Sequence, residues 1–356
     1  MPDALQAAGI ASSTPPRRES GAAESDAGPF DRIAFRDVPL AILAGAAMLA
    51  MVAGPGWTEA SGPWVWIVSL VLVGLPHGAA DVAIGRWLAG RSIRDLVLGG
   101  LLYLGGMACV AAAFAVAPAA TILLFSLVSI WHFGIGHHDT EPGNVAAATR
   151  RGGAGWTLPA EAARAMARAG VVLGMPAAAW PERTAAVADR LVELLHSQAA
   201  SHGPLFDPSS VRNAGWALLA ASAVAVVGES VGPRGRVPGW LLAECGVFAA
   251  VGWFADPLFS VGLYYLCWHA WRHLRSVMQE RGTRSLAASV FRLHLEGLPL
   301  LLPTLAALGG LWWLLSPGHS PRDLAILSIG VYLVVTPSHD VLVRRFRDRR
   351  ERDESR

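Results

Sequence analysis

Ten stretches of roughly 20 residues each are apolar enough and long enough to cross the hydrocarbon core of a bilayer. They run over 38–56, 63–84, 96–117, 119–137, 162–180, 212–229, 237–254, 257–275, 294–315 and 323–343. Lipid offers no hydrogen bonds, so a chain built this way crosses as helices that satisfy their own backbone. The composition agrees: 53% of residues are hydrophobic and 16% charged, against about a quarter charged in a soluble domain. The pattern predicts an all-α, polytopic integral membrane protein. It excludes a soluble enzyme and a nucleic-acid-binding domain.

The remaining segments give the domain organisation. Residues 1–37 begin rich in Ala, Ser, Pro and Gly with mixed charge, and read as a disordered tail. Residues 38–343 form one helical membrane domain without an internal repeat, and 344–356 form a basic C-terminal tail. Within the domain, 182–199 is too polar to span. Val187, Leu191, Leu194 and Leu195 recur there at helical spacing, which predicts an amphipathic helix at the surface. Cys109, Cys245 and Cys267 sit in apolar segments without metal-ligand spacing, so disulfides are not expected.

Arginine placement sets an orientation. With a cytoplasmic N-terminus, 25 arginines fall on the inner side and four on the outer: Arg183, Arg190, Arg212 and Arg322. This predicts cytoplasmic N- and C-termini and a multi-pass membrane protein.

The histidines then acquire depths. His77 in "GLPHGAAD", His132 in "SIWHFG", His269 and His273 in "WHAWRH", and His339 in "TPSHD" all lie late in spans that run outside to inside. Five imidazoles from four helices thus meet one layer near the cytoplasmic third of the bilayer. Ionisable groups are costly there and mark working sites. His269 and His273, four residues apart, leave the same helix face. His77 and Asp81 share that spacing, so Asp81 can hold the His77 ring in one tautomer, as carboxylates behind metal ligands do. His196, His202, His294 and His319 read as loop or interfacial residues, and His137 and His138 as cytoplasmic.

Neutral imidazoles suit iron, copper, zinc or nickel. Placed inside the membrane, they point to a metal oxidase or oxygenase with a lipid-soluble substrate. Alternatives remain at this level: a haem protein with paired axial histidines, a di-iron histidine-box oxidase acting on a different lipid, or a transporter or binding protein without catalysis. Trp131, Phe133, Tyr264, Tyr265, Trp268 and Trp271 serve packing or line a slot for a flat, greasy substrate.

Taken in order, "GLPHGAAD", "SIWHFG", "WHAWRH" and "TPSHD" resemble the Brp/Blh family of membrane β-carotene 15,15′-dioxygenases, across about residues 38–345. The resemblance implies an all-helical membrane enzyme that uses Fe(II) and dioxygen to split β-carotene, or a related carotenoid, into two retinal molecules. Those retinals would supply a microbial rhodopsin. It assigns His77, His132, His269 and His273 as the iron ligands. His339, Asp81, Tyr264 and Trp268 fall behind the ligands or along the substrate. Against the family pattern, Ala270 stands where Ser is common, Ser338 where Pro is frequent, and "GHHD" adds two histidines after the second block.

Overall fold

The computed structural model describes residues 32–76, 78, 93–135, 157–196, 204–231, 239–280 and 285–354. Among these residues all regular structure is helical. Four helices are long and apolar enough to cross a membrane: Ile33–Ala53, Val97–Val116, Pro208–Gly228 and Leu286–Leu315. Shorter apolar helices cover Pro118–Gly134, Ala165–Ala179 and Gly239–Phe254. Large apolar side chains such as Leu101, Leu104, Leu124 and Val224 point outward. Outward leucine on this scale suits lipid and not water. The chain is an all-helical membrane protein.

Punctuation in the sequence sets the helix ends. Helix α1 (Val38–Ala53) stops at Gly54, whose φ of 82° a side chain would resist. Pro55 then opens α2 (Pro55–Ser69), which continues as a π-helical turn over Leu70–Gly74. Next come α3 (Ile93–Val116), α4 (Pro118–Ile135) and α5 (Thr157–Ala179). Amphipathic α6 (Pro181–Leu195) precedes α7 (Pro208–Val231) and α8 (Gly239–Phe254). Asp256 caps α9 (Pro257–Tyr264) by accepting the Leu258 N–H at 2.9 Å. A π turn, Tyr265–His269, joins α9 to α10 (Ala270–Glu280). The chain closes with α11 (Leu286–Leu315) and α12 (Pro321–Glu354).

Helix α5 lies at the centre. Its Ala165, Ala167, Ala169 and Gly170 are buried, and its small side chains let three neighbours come close. On α7, a Cβ added at Gly215 would stand 2.5 Å from the Ala178 nitrogen and 2.8 Å from the Gly174 oxygen. Two turns further along the same contact line, Ser222 Oγ donates to the Met166 carbonyl at 2.9 Å. On α8, a Cβ at Gly252 would stand 2.9 Å from Met175 Cβ. Helices in lipid associate through such close packing, because burying apolar surface from lipid gains little.

Helix α6 docks instead of floating. Ala185, Leu191, Val192 and Leu194 are buried, and Leu191 and Leu195 face Gly330 of α12. Arg190 grips Asp323 with Nε on Oδ1 at 2.9 Å and Nη2 on Oδ2 at 3.0 Å. The grip raises the Arg190 pKa further above its already high value, so this tie stays charged. Arg183 reaches Glu59 at 2.7 Å and Asp256 at 3.5 Å, Arg322 reaches Glu59 at 3.4 Å, and Arg212 reaches Glu182 at 3.1 Å. Burial pushes the Asp256 carboxyl above the usual carboxylate range, against the pull of the Leu258 N–H and of Arg322 and Arg183. All four arginines expected on the outer side therefore gather at one end of the bundle.

Gly215→Leu is expected to force α5 and α7 apart and to cost about 1–3 kcal/mol, the usual penalty of overpacking. Gly228→Leu on the same helix, where an added Cβ meets nothing within 4 Å, is expected to be neutral. Thermal unfolding of the two variants in detergent checks the contrast.

Candidate functional site

Helices α2, α9 and α12 all begin at the arginine-rich end, at Glu59, Asp256 and Asp323. At 1.5 Å per residue, His269 and His339 lie roughly 20–24 Å from those carboxylates, toward the other end. There three of the five deep histidines meet. The His132 ring from α4 is 4.9 Å from His269, at the end of the π turn, and 5.8 Å from His339 on α12. His269 and His339 are buried. His77 and Asp81 lie outside the described residues, as does the His273 side chain.

Local packing explains why His132 sits there. Two residues beyond it, Gly134 faces α5, and a Cβ at that position would collide with Ala165 Cα and Cβ. The glycine of "HFG" thus lets α4 lie against the central helix. Phe133 fills the space behind, 4.9 Å from His269, 5.6 Å from Tyr264 and 6.1 Å from Tyr265.

His269 closes the π turn, where the Ala270 N–H reaches back to the Tyr265 carbonyl. Such one-turn bulges recur at functional sites, because they re-aim the side chains that follow. Tyr265, Trp268, His269 and Arg272 recur at helical spacing on one face, and all four are buried. Tyr265 lies tilted against His269 at 5.1 Å and against Tyr332 at 5.4 Å. Gly74, three residues before His77, faces this pair: an added Cβ would meet Tyr332 Oη and lie 3.0 Å from Tyr265 Cε1. Ser338, just before His339, faces Gly106 of α3, where an added Cβ would lie 2.6 Å from its Oγ. Tyr264 is buried between Phe133 and Phe248. Trp268 is wholly buried, with the Arg272 guanidinium 4.0 Å above its ring and Phe248 at 5.2 Å.

The other described histidines are engaged elsewhere. His294 Nδ1 lies 2.8 Å from the Val290 carbonyl, His196 Nε2 lies 3.2 Å from the Ala115 carbonyl, and His319 stacks on Trp313 at 4.2 Å.

An ionic group beside the site was not foreseen. Arg168 of α5 donates Nε to Glu244 Oε2 of α8 at 2.7 Å, and Arg272 of α10 donates Nη2 to Glu244 Oε1 at 3.2 Å. Arg168, Glu244 and Arg272 are 1%, 0% and 5% exposed, and Arg275 is buried as well. Arg168, Arg272 and Arg275 are therefore interior residues and not flanking-loop charges, which removes them from the orientation count. The available signal was an acid in the seventh apolar run and arginines inside the fifth and eighth.

The spacing of the rings can be compared with that of imidazoles around a metal ion. Imidazoles sharing one ion at about 2.1 Å place their ring centroids roughly 4.5–6 Å apart. Both His132 separations fall in that range. Among the described residues alone, no three His, Cys, Asp or Glu side chains close on a common metal position.

A family model described as "Beta-carotene 15,15'-dioxygenase" matches residues 68–347, a stretch that holds all four histidine blocks. A protein of Halobacterium salinarum named "Probable beta-carotene 15,15'-dioxygenase Blh" is 30% identical over 303 residues, covering 78% of this chain and 82% of that protein. A "Beta-carotene 15,15'-dioxygenase" of Uncultured marine bacterium 66A03 is 35% identical over 83 residues, 22% of this chain and 30% of that one. No solved structure matches.

Gly134→Val is expected to push α4 off α5 and to cost about 1–3 kcal/mol in thermal stability. Gly105→Val, on the outer helix α3 where an added Cβ meets nothing within 4 Å, is expected to leave it unchanged.

Proposed function

The chain belongs to the beta-carotene 15,15'-dioxygenase family, and from that membership we propose that it cleaves β-carotene at the central 15,15′ double bond into two molecules of all-trans retinal. The observation that carries the proposal is the meeting of His132, His269 and His339 from three separate chain segments inside an apolar bundle. We assign His77, His132, His269 and His273 as ligands of Fe(II). When bound, such an ion supplies the activation of dioxygen. Asp81 is assigned to hold the His77 ring, and His339 to orient a neighbouring imidazole or to line the pocket.

The residues around the histidines do the rest. Phe133, Tyr264 and Tyr265 form the apolar packing around the histidines that would hold a polyene's central bond in one place and keep water out. Holding the reactants together replaces a chance encounter with a fixed geometry. Both former alkene carbons end as aldehydes, so the overall reaction asks for no acid–base pair. That agrees with Glu244, the acid described beside the site, being engaged by two arginines. The substrate dissolves in lipid, and the outward apolar faces of α3 and α4 make lipid the immediate surroundings of this end.

For the membrane arrangement we propose ten crossings with both termini cytoplasmic in a bacterial plasma membrane. The gathering of Arg183, Arg190, Arg212 and Arg322 at the end opposite the histidines supports it. Retinal released at the membrane could pass to a microbial rhodopsin.

Expression in a bacterium that accumulates β-carotene tests the reaction. Loss of orange pigment with a matching rise in all-trans retinal is expected. His77→Ala, His132→Ala, His269→Ala and His273→Ala are each expected to lower retinal at least a hundredfold while the protein still inserts. Persistent colour in cells holding inserted, iron-loaded protein would overturn the proposal in favour of another polyene or of carotenoid binding without cleavage.

A further inference from the structure

Glu244 is fully buried, and its two carboxylate oxygens are taken by arginines from two different helices. Each arginine is also fixed from its other side by an indole. Arg168 lies 5.1 Å from the Trp240 ring, and Arg272 lies 4.0 Å from the Trp268 ring. Both contacts are cation–π pairs. Helices α5, α8 and α10 are thereby joined at one point.

The places of these arginines in the chain matter. Arg272 stands between His269 and His273 in sequence, three residues after the first and one before the second. Arg168 stands one helical turn after Ala165, the residue against which Gly134 packs. Gly134 is in turn two residues beyond His132. One carboxylate therefore sets the π turn that carries His269 against α5, and α5 sets the helix that carries His132.

Stability alone does not account for such a group. Desolvating three charges costs about as much as their attraction returns, and well-packed apolar replacements are often equally stable. What an ionic tie adds is a single distance and a single orientation. A metal site needs that, since its ligands must be held to within about 0.5 Å. We infer that Glu244 is a positioning residue of the histidine site, acting through Arg168 and Arg272 to set the spacing of His132 from His269. The inference rests on the reading of these histidines as iron ligands.

The test uses the full chain in detergent. Two quantities are read: iron retained against a graded chelator, and the electron paramagnetic resonance spectrum of the ferrous protein exposed to nitric oxide. Glu244→Gln keeps the shape and removes the charge. A triple variant, Arg168→Met with Glu244→Leu and Arg272→Met, replaces the tie with apolar packing and keeps the test open if Glu244→Gln fails to fold. Both are expected to weaken iron retention tenfold or more, the range seen when groups behind metal ligands are lost, and to alter the spectrum. The triple variant is expected to keep its thermal midpoint. Asp323→Asn, at the opposite end, is expected to lower the midpoint and leave iron and spectrum unchanged. A folded triple variant with unaltered iron retention and spectrum would overturn the positioning role alone. Wild-type protein that holds no iron would overturn the ligand reading and the positioning role with it.

Discussion

Everything at the histidine end depends on how closely other helices can approach α5. In water, burial would drive such contacts. In lipid it does not, and helices are held by the dispersion and polar contacts that only short distances allow. Gly134, Gly215 and Gly252 each turn a bare backbone toward α5 from a different helix. Alanines and glycines on α5 answer them. The separation of α4 from α5 fixes where the His132 ring can go, so the histidine cluster is set in part by residues without any polar side chain.

Polar groups divide into two sets with different tasks. The set at Glu59, Asp256 and Asp323 is partly solvated and pins helix starts to α6. Its members are bidentate or capping contacts of ordinary strength. The set around Glu244 is dry, and it lies beside the rings that meet at His132. Between the two, Trp66 Nε1 donates to Ser328 Oγ at 2.7 Å.

Helical class and the histidine layer were legible because each leaves a one-dimensional trace. Apolar length marks a crossing, and an imidazole inside it stands out by cost. That His132, His269 and His339 share one depth followed from their late positions in spans of like direction. Their actual contact needed the three-dimensional structure. The Glu244 group was harder to foresee. Arg168 falls near the start of the fifth apolar run and Arg272 near the end of the eighth, where arginine ordinarily serves as a flanking charge. Only pairing with an acid more than 70 positions from Arg168 shows them to be interior. The docking of α6 was similarly hidden. An amphipathic stripe gives the same periodicity whether lipid or protein covers it, and Gly330 on α12 decides for protein. The π turns leave no periodic signature, because a single extra residue per turn is absorbed within a few positions.

The ties of α12 to Arg190 and Trp66 lie within its first eight residues, from Pro321 to Ser328. A rod fastened near one end is a lever. Tilting α12 by five degrees about that fastening would carry His339 sideways by about 1.5–2 Å, given the helical rise between them. The opposing rings of His132 and His269 ride on α4 and on the π turn ahead of α10, both braced against α5. Such a tilt would change the clearance on one side of the histidine cluster, the side where Ser338 meets Gly106 of the lipid-facing helix α3. A stiff polyene needs room in one direction, and any give in α12 would open it on the His339 side while His132 and His269 stay braced against α5.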